Sequence, residues 1–277
     1  MTTRFLVFAV ALALSDTGSI FADDNIRAVQ TQLRQGGFYS GEIDGTYSSS
    51  LSAALTRYQI RNGLPVTGRL DTETSKMLGA KPAVITKTPT DPAQNSATWK
   101  QLRTSNRKPA AKSDNRTAPA QSQPVHSDQV EGTIKVHVSP QRGDGSAAAN
   151  VNTGRILDYV AAFVLAGLDP RIGAEVEFFA KRVRYYNDGL KDREAIRKDL
   201  QRYNARWPGR KFWIAGDIKV EPQPDNRLRV TFPLRFELEK ASTRSSGQVE
   251  KSIVLEPLGE DDFLIVAVNE RKITNRL

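Results

Sequence analysis

The side chains that most often carry acid–base, nucleophilic or metal chemistry are scarce in this 277-residue chain. It has no cysteine, which excludes thiolate metal sites, a catalytic thiol, disulfides and a lipid-bearing cysteine together. Its two histidines, His126 and His137, fall in a stretch poor in large apolar residues, and residues 151–277 contain none. Proton abstraction near neutral pH needs a histidine or a carboxylate of raised pKa. Asp188 and Asp217 are carboxylates that could intrude on a site in the C-terminal half, but each sits at a turn or strand break, where Asp has a simpler use. Alternation from Leu228 to Leu238 sets Val230, Phe232, Leu234 and Phe236 on one face with no inward acid. No catalytic residue, metal ligand set or cofactor is therefore predicted. Tyr159, Tyr185, Trp207 and Trp213 are the candidates to line an apolar pocket, although aromatic residues at such spacings also serve as ordinary core.

The elements that would position these side chains follow from periodicity. Asn152 or Thr153 caps a helix bearing Ile156, Tyr159, Val160 and Phe163, which stops by Asp169-Pro170. Residues 176–186 mix helix and strand signals and end at the Asn187-Asp188-Gly189 turn. Asp192 caps an amphipathic helix with Ile196, Leu200, Tyr203 and Trp207 on one stripe, closed by Pro208-Gly209. The period then becomes two. One strand runs from Phe212 through Val220, and others cover 228–238, 249–255 and 263–268, with turns at Pro224-Asp225, Ser245 to Gly247 and Gly259 to Asp261. Helices followed by a meander give an α+β domain over 151–277, with helices packed on a curved antiparallel sheet.

At the other end, Arg4, the apolar run Phe5 to Leu14 and a polar stretch ending at Ala22 read as a signal peptide over 1–22, cut at Ala22. No other run approaches the roughly 20 apolar residues of a spanning helix, so no transmembrane segment is expected and the protein is placed in the periplasm or outside the cell. Residues 81–150 are rich in Pro, Ala, Ser, Thr, Gln and Lys and read as a disordered linker. Trp99, His126 and His137 are expected to be exposed there, and Ile134, Val136 and Val138 could add one edge strand. The net charge of +9 sits in this linker and the C-terminal part, since residues 23–80 balance. An exported protein rarely meets nucleic acid. Its positive charge would act on stem-peptide carboxylates or phosphates instead, or simply solvate the surface.

Residues 23–80 form a small all-α three-helix bundle. Asp24 caps a helix with Ile26, Val29 and Leu33 on one face, ended by Gly36-Gly37. A second runs from about Ser49 to Asn62 with Leu51, Ala54, Leu55 and Tyr58 on one face, and a third from Asp71 to Leu78. The runs QTQLRQGGFYSGEIDGTY and LTRYQIRNGLPVTGRLDTETSKML resemble the peptidoglycan-binding domain 1 family over 24–79. The resemblance implies peptidoglycan, glycan or stem peptide, as partner, with Asp44, Arg57, Tyr58, Gln59 and Arg61 as contact candidates. Tyr and Gln hydrogen-bond hydroxyls and amides, and Arg forks onto carboxylates. This chain departs from the family's Gly-x-x-Thr after the Asp-Gly turn, having Ser48 to Leu51.

The element order and DREAIRKDLQRYNARWPGRKFWI resemble the nuclear-transport-factor-2-like fold, a cone-shaped sheet that serves enzymes, binding proteins and dimerisation modules alike. The reading is an exported, non-enzymatic wall protein whose second domain binds a ligand or protein partner or forms a homodimer. The alternative is a wall-targeted enzyme, isomerase/cyclase-like or a hydrolase, with its site in the C-terminal cone.

Overall fold

The computed structural model describes residues 24–80, 92–104, 134–139, 152–169, 171, 173–259 and 262–273. The signal peptide expected over 1–22, its cut at Ala22 and His126 lie outside the described residues. In the first part, α1 (Asp24–Gln35), α2 (Ser49–Arg61) and α3 (Thr72–Met77) enclose a core of Ile26, Val29, Leu33, Leu51, Leu55 and Leu70. Ser48 caps α2 by accepting from the Leu51 amide at 3.2 Å, and Asp71 caps α3 by accepting from Thr74 at 2.9 Å.

The second part is built on α5 (Thr153–Ala166), which is apolar all round from Ile156 to Ala166 apart from Asp158. Such a helix must be buried on every side. The sheet covers one side, and α2 and α4 (Pro92–Thr104) cover the other. Strands β1 (Val136–Val138), β2 (Phe179–Tyr185), β3 (Leu190–Asp192), β4 (Gly209–Ile214), β5 (Ile218–Pro222), β6 (Leu228–Lys240), β7 (Thr243–Leu258) and β8 (Asp262–Lys272) form one sheet. Its order is β1-β5-β6-β7-β8-β2-β3, with β4 pairing the far half of β6, and α6 (Arg193–Arg206) follows β3. This is the expected α+β architecture, with helices packed on a curved sheet. The sheet is mixed rather than wholly antiparallel, because β2 runs parallel to β8 and β1 parallel to β5.

Three local expectations fail for identifiable reasons. The single strand read from Phe212 to Val220 is two, β4 and β5, broken at Ala215-Gly216-Asp217, where the Ala215 amide donates to Pro233 O at 2.8 Å. Ser245 to Gly247 is not a turn. The chain reverses at Ala241, in the left-handed region at φ 50°, and Gly247 lies inside β7 opposite Phe236. A Cβ there would stand 3.0 Å from the Phe236 ring, so the glycine makes room for an aromatic side chain.

The third concerns Trp99. In place of exposure, it is fully buried on α4, donates Nε1–H to Asp169 Oδ2 at 2.8 Å and meets the Phe178 ring at 5.5 Å. Ser96 of α4 also bonds Asp169, and Arg103 forks onto Asp262 at 2.9 and 3.0 Å. Within the stretch read as linker, α4 and β1 are thus built into the body. Ala53, Ile60 and Val66 of the first part join the same continuous core as Trp99, Leu102 and α5. The Val66 amide donates to Phe212 O at 2.9 Å across that junction.

Candidate functional site

The five candidates on the helical module point in different directions. Gln59 is fully buried. Its Oε1 accepts from the Thr67 and Gly68 amides at 3.0 and 2.9 Å, while its Nε2 donates to Arg69 O, Thr67 Oγ1 and Thr74 Oγ1. It is therefore the clasp of the turn between α2 and α3. Arg57 and Arg61, one helical turn apart, face the second part of the chain: Arg57 forks onto Asp158 and Arg61 donates to Ile134 O at 3.2 Å. Asp44 accepts from Gln30 at 2.7 Å and from the Thr46 amide at 2.8 Å, contacts that hold its carboxyl below the usual range. Tyr58 is half-buried, edge-on to Phe38 at 5.4 Å. Asp44, Tyr58 and Arg61 keep exposed or half-exposed side chains, whereas Arg57 and Gln59 are used up inside the protein.

The second part holds a cavity of about 430 Å³ between α5, α6 and the concave face of the sheet. Phe163, Phe179, Phe212, Leu234, Phe236 and Val249 supply its apolar wall. Of the four predicted pocket residues only Tyr185 lines it. Tyr159 is a core residue whose hydroxyl donates to Phe263 O at 3.0 Å. Trp213 is buried with the Arg235 guanidinium 4.1 Å from its ring centre, and Trp207 ends α6 beside Arg206. Asp188 does reach the cavity, tied to Lys191 at 2.6 Å. Asp217 instead fixes β1, accepting from the Lys135 amide and bonding His137 Nε2 at 2.7 Å.

The alternating strand β6 carries no inward acid, as expected, but Glu175 from another element faces the cavity. It follows Gly173, whose φ of 84° turns the chain into a short 3-10 turn, and it is 9% exposed on the cavity wall. Burial pushes its carboxyl above the usual range. Its own backbone amide, Arg210 and Lys251 oppose that shift, and Asp169 adds to it. Among the described residues no cation comes within salt-bridge distance of it. Lys251 also lines the cavity, donates to Tyr186 OH at 3.1 Å and pairs with Glu270 at 3.4 Å. Tyr186 sits in the left-handed region at φ 49°, a conformation that costs a large side chain about 1 kcal/mol or more and collects at functional positions. Chemically, the cavity can bury a small apolar body and offer a carboxyl of raised pKa, a lysine and tyrosine hydroxyls at its polar end.

Sequence reading missed Glu175 and Lys251, although a signal existed for each. Glu175 and Glu177 both interrupt the apolar stretch Ala174 to Ala180, of which only Glu175 is buried, and Lys251 takes an inward position in the series Val249, Lys251, Ile253, Leu255, opposite the fully buried Phe232.

Residues 22–78 match the family described as "Putative peptidoglycan binding domain". The chain is 39% identical over 66 residues to the localization factor PodJL of Caulobacter vibrioides, in strain NA1000 / CB15N and in strain ATCC 19089 / CIP 103742 / CB 15 alike. The aligned part is 24% of this chain and spans only 7% of the length of those relatives. Among solved structures, ActVI-ORFA from Streptomyces coelicolor is similar at a TM-score of 0.37 and 10% identity, covering 42% of this chain and 93% of that one. Aln2 from another Streptomyces strain is similar at 0.37 and 11%, covering 43% and 88%. A "putative ketosteroid isomerase" from Shewanella frigidimarina NCIMB 400 is similar at 0.34 and 14%, covering 39% and 88%. Among the described residues no helix is long and apolar enough to cross a membrane, and no group of three or more His, Cys, Asp or Glu could hold a metal ion.

Proposed function

We propose that this is an exported, cell-wall-associated protein that docks on peptidoglycan through its helical module and holds a small, mainly apolar ligand in the cavity of its second part without transforming it. The observation that carries this reading is the family match over 22–78. Its contact surface would be Tyr58 with Asp44 and Arg61, the candidates whose side chains remain accessible. The tyrosine hydroxyl suits a sugar hydroxyl or amide, and the arginine suits a stem-peptide carboxylate. Export would follow from residues 1–22, and a reporter fused behind them should be released and cut after Ala22.

The test is co-sedimentation of the full-length chain with purified sacculi. Tyr58→Phe with Arg61→Gln keeps the ring against Phe38 and should weaken pelleting while costing no more stability than the one Arg61–Ile134 hydrogen bond, about 1 kcal/mol. A wild-type chain that stays in the supernatant at about 0.05 M and at about 0.5 M salt, between which charge screening rises several-fold, would sink the wall-binding reading.

A second reading, a wall-targeted isomerase/cyclase-like or hydrolytic enzyme, is favoured by Glu175, a buried carboxyl of raised pKa facing a cavity. It predicts time-dependent turnover of a wall component that Glu175→Gln abolishes. Absence of released muropeptides with both proteins favours the non-enzymatic reading.

A further inference from the structure

The sheet has two faces, and among the described residues only the inner one is covered by helices. Inward residues Val230, Ile253, Val268 and Tyr185 are neighbours across β6, β7, β8 and β2. One residue along each strand, the register places Arg229 beside Val254, Val254 beside Ala267 and Ala267 beside Arg184. Side chains alternate along a strand, so this second row faces away from the core. Arg182, two residues before Arg184, shares its side. The result is a shallow cleft floored by half-buried Val254, Leu264, Val266 and Ala267 and walled by arginines.

The charge on this cleft is unbalanced. Arg182, Arg184 and Arg229 are exposed and have no carboxylate partner among the described residues. Among the described residues Glu256 is the one acid lining the cleft, and Arg227 already engages it at 2.5 Å. Elsewhere on the domain, surface arginines such as Arg197, Arg235 and Arg271 do find carboxylates. Three free guanidinium groups around an apolar floor ask for an anionic partner with some apolar length.

Distance narrows the choice. Arg229 and Arg184 are three strand spacings apart, about 14 Å between backbones. An extended peptide covers about 3.3 Å per residue, so four residues span the cleft. We propose that this open face is a second wall contact, on which Arg229 at one side and Arg182 and Arg184 at the other receive the carboxylates of a single peptidoglycan stem peptide while Val254 and Val266 support its aliphatic parts. The inference rests on the wall-binding reading above and extends it from the helical module to the sheet. Each guanidinium forks onto a carboxylate with two parallel N–H donors.

The experiment uses the full-length chain, wild type and Arg182→Gln/Arg184→Gln/Arg229→Gln, whose positions are exposed and leave the core intact. Two probes are used: purified sacculi, untreated or with carboxylates amidated, and a soluble stem tetrapeptide. The triple variant should bind untreated sacculi about tenfold more weakly, equivalent to about 1.4 kcal/mol, and should lose the tetrapeptide. Amidated sacculi should bind wild type and variant alike. Equal tetrapeptide binding by the two proteins overturns the proposal. So does a wild-type dimer that the triple variant dissolves, because a second copy would then occupy the face. The Tyr58→Phe/Arg61→Gln chain separates the two ideas: unchanged sacculi binding by it faults only the groove of the helical module, and loss of the tetrapeptide by it faults only the sheet.

Discussion

Arg57 of α2 lays its guanidinium flat against Asp158 of α5, with Nε–Oδ1 at 2.7 Å and Nη2–Oδ2 at 2.9 Å. The aspartate is fully buried and the arginine side chain 12% exposed, so the pair is a desolvated fork between the two parts of the chain. Removing one partner strands a buried charge, which is worse than removing both. Arg57→Ala should therefore cost about 3–5 kcal/mol in urea unfolding. Adding Asp158→Ala should recover much of that loss. A single variant as stable as wild type would mean that the fork does not persist in solution.

Trp99 supplies a second test of the same junction. Its ring is fully buried between α4 and Phe178, and its indole N–H is satisfied by Asp169. Trp99→Ala should cost about 3–5 kcal/mol through the cavity it leaves. An exposed residue in a loose connection would change stability by less than about 0.5 kcal/mol, so the midpoint shift separates the two descriptions cleanly.

Glu175 gives stability a pH dependence of definite sign. Burial raises its folded-state pKa above the ordinary value of 4.5, so the folded protein prefers the neutral acid. That preference is fully present below 4.5 and is lost as pH rises through the folded pKa. Glu175→Gln keeps the neutral shape and cannot ionise. Denaturation should show the variant matching wild type in acid and gaining on it as pH climbs, then a constant difference. Parallel curves at all pH values would mean that the carboxyl is solvated.

Much of the fold was legible in the sequence because periodicity reports burial. The α5 and α6 caps at Asn152 and Asp192, the helix faces of the first module and the long alternation of β6 all stand where their residue patterns put them. What stayed hidden depends on long-range pairing. Composition made 92–104 look unable to support a core of its own, and indeed α4 does not: Trp99 and Leu102 are buried against α5 and its neighbours. Gly247 reads as a turn until Phe236 is placed opposite it. Arg57 and Gln59 read as ligand contacts because nothing local reveals Asp158, 101 residues on, or the Thr67–Thr74 turn that Gln59 closes. The acids and lysine of the cavity come from separate elements and share no spacing.

The junction through Arg57–Asp158, Val66–Phe212 and Trp99 also has a mechanical meaning. A flexible spacer between a wall anchor and its cargo would absorb pulling as slack. Here force applied to the helical module reaches the sheet directly, through a buried ion pair and a backbone hydrogen bond. The rupture strength of the whole is then set by that seam, and any strain that opened it would expose Ala53, Ile60 and Val66 to water together.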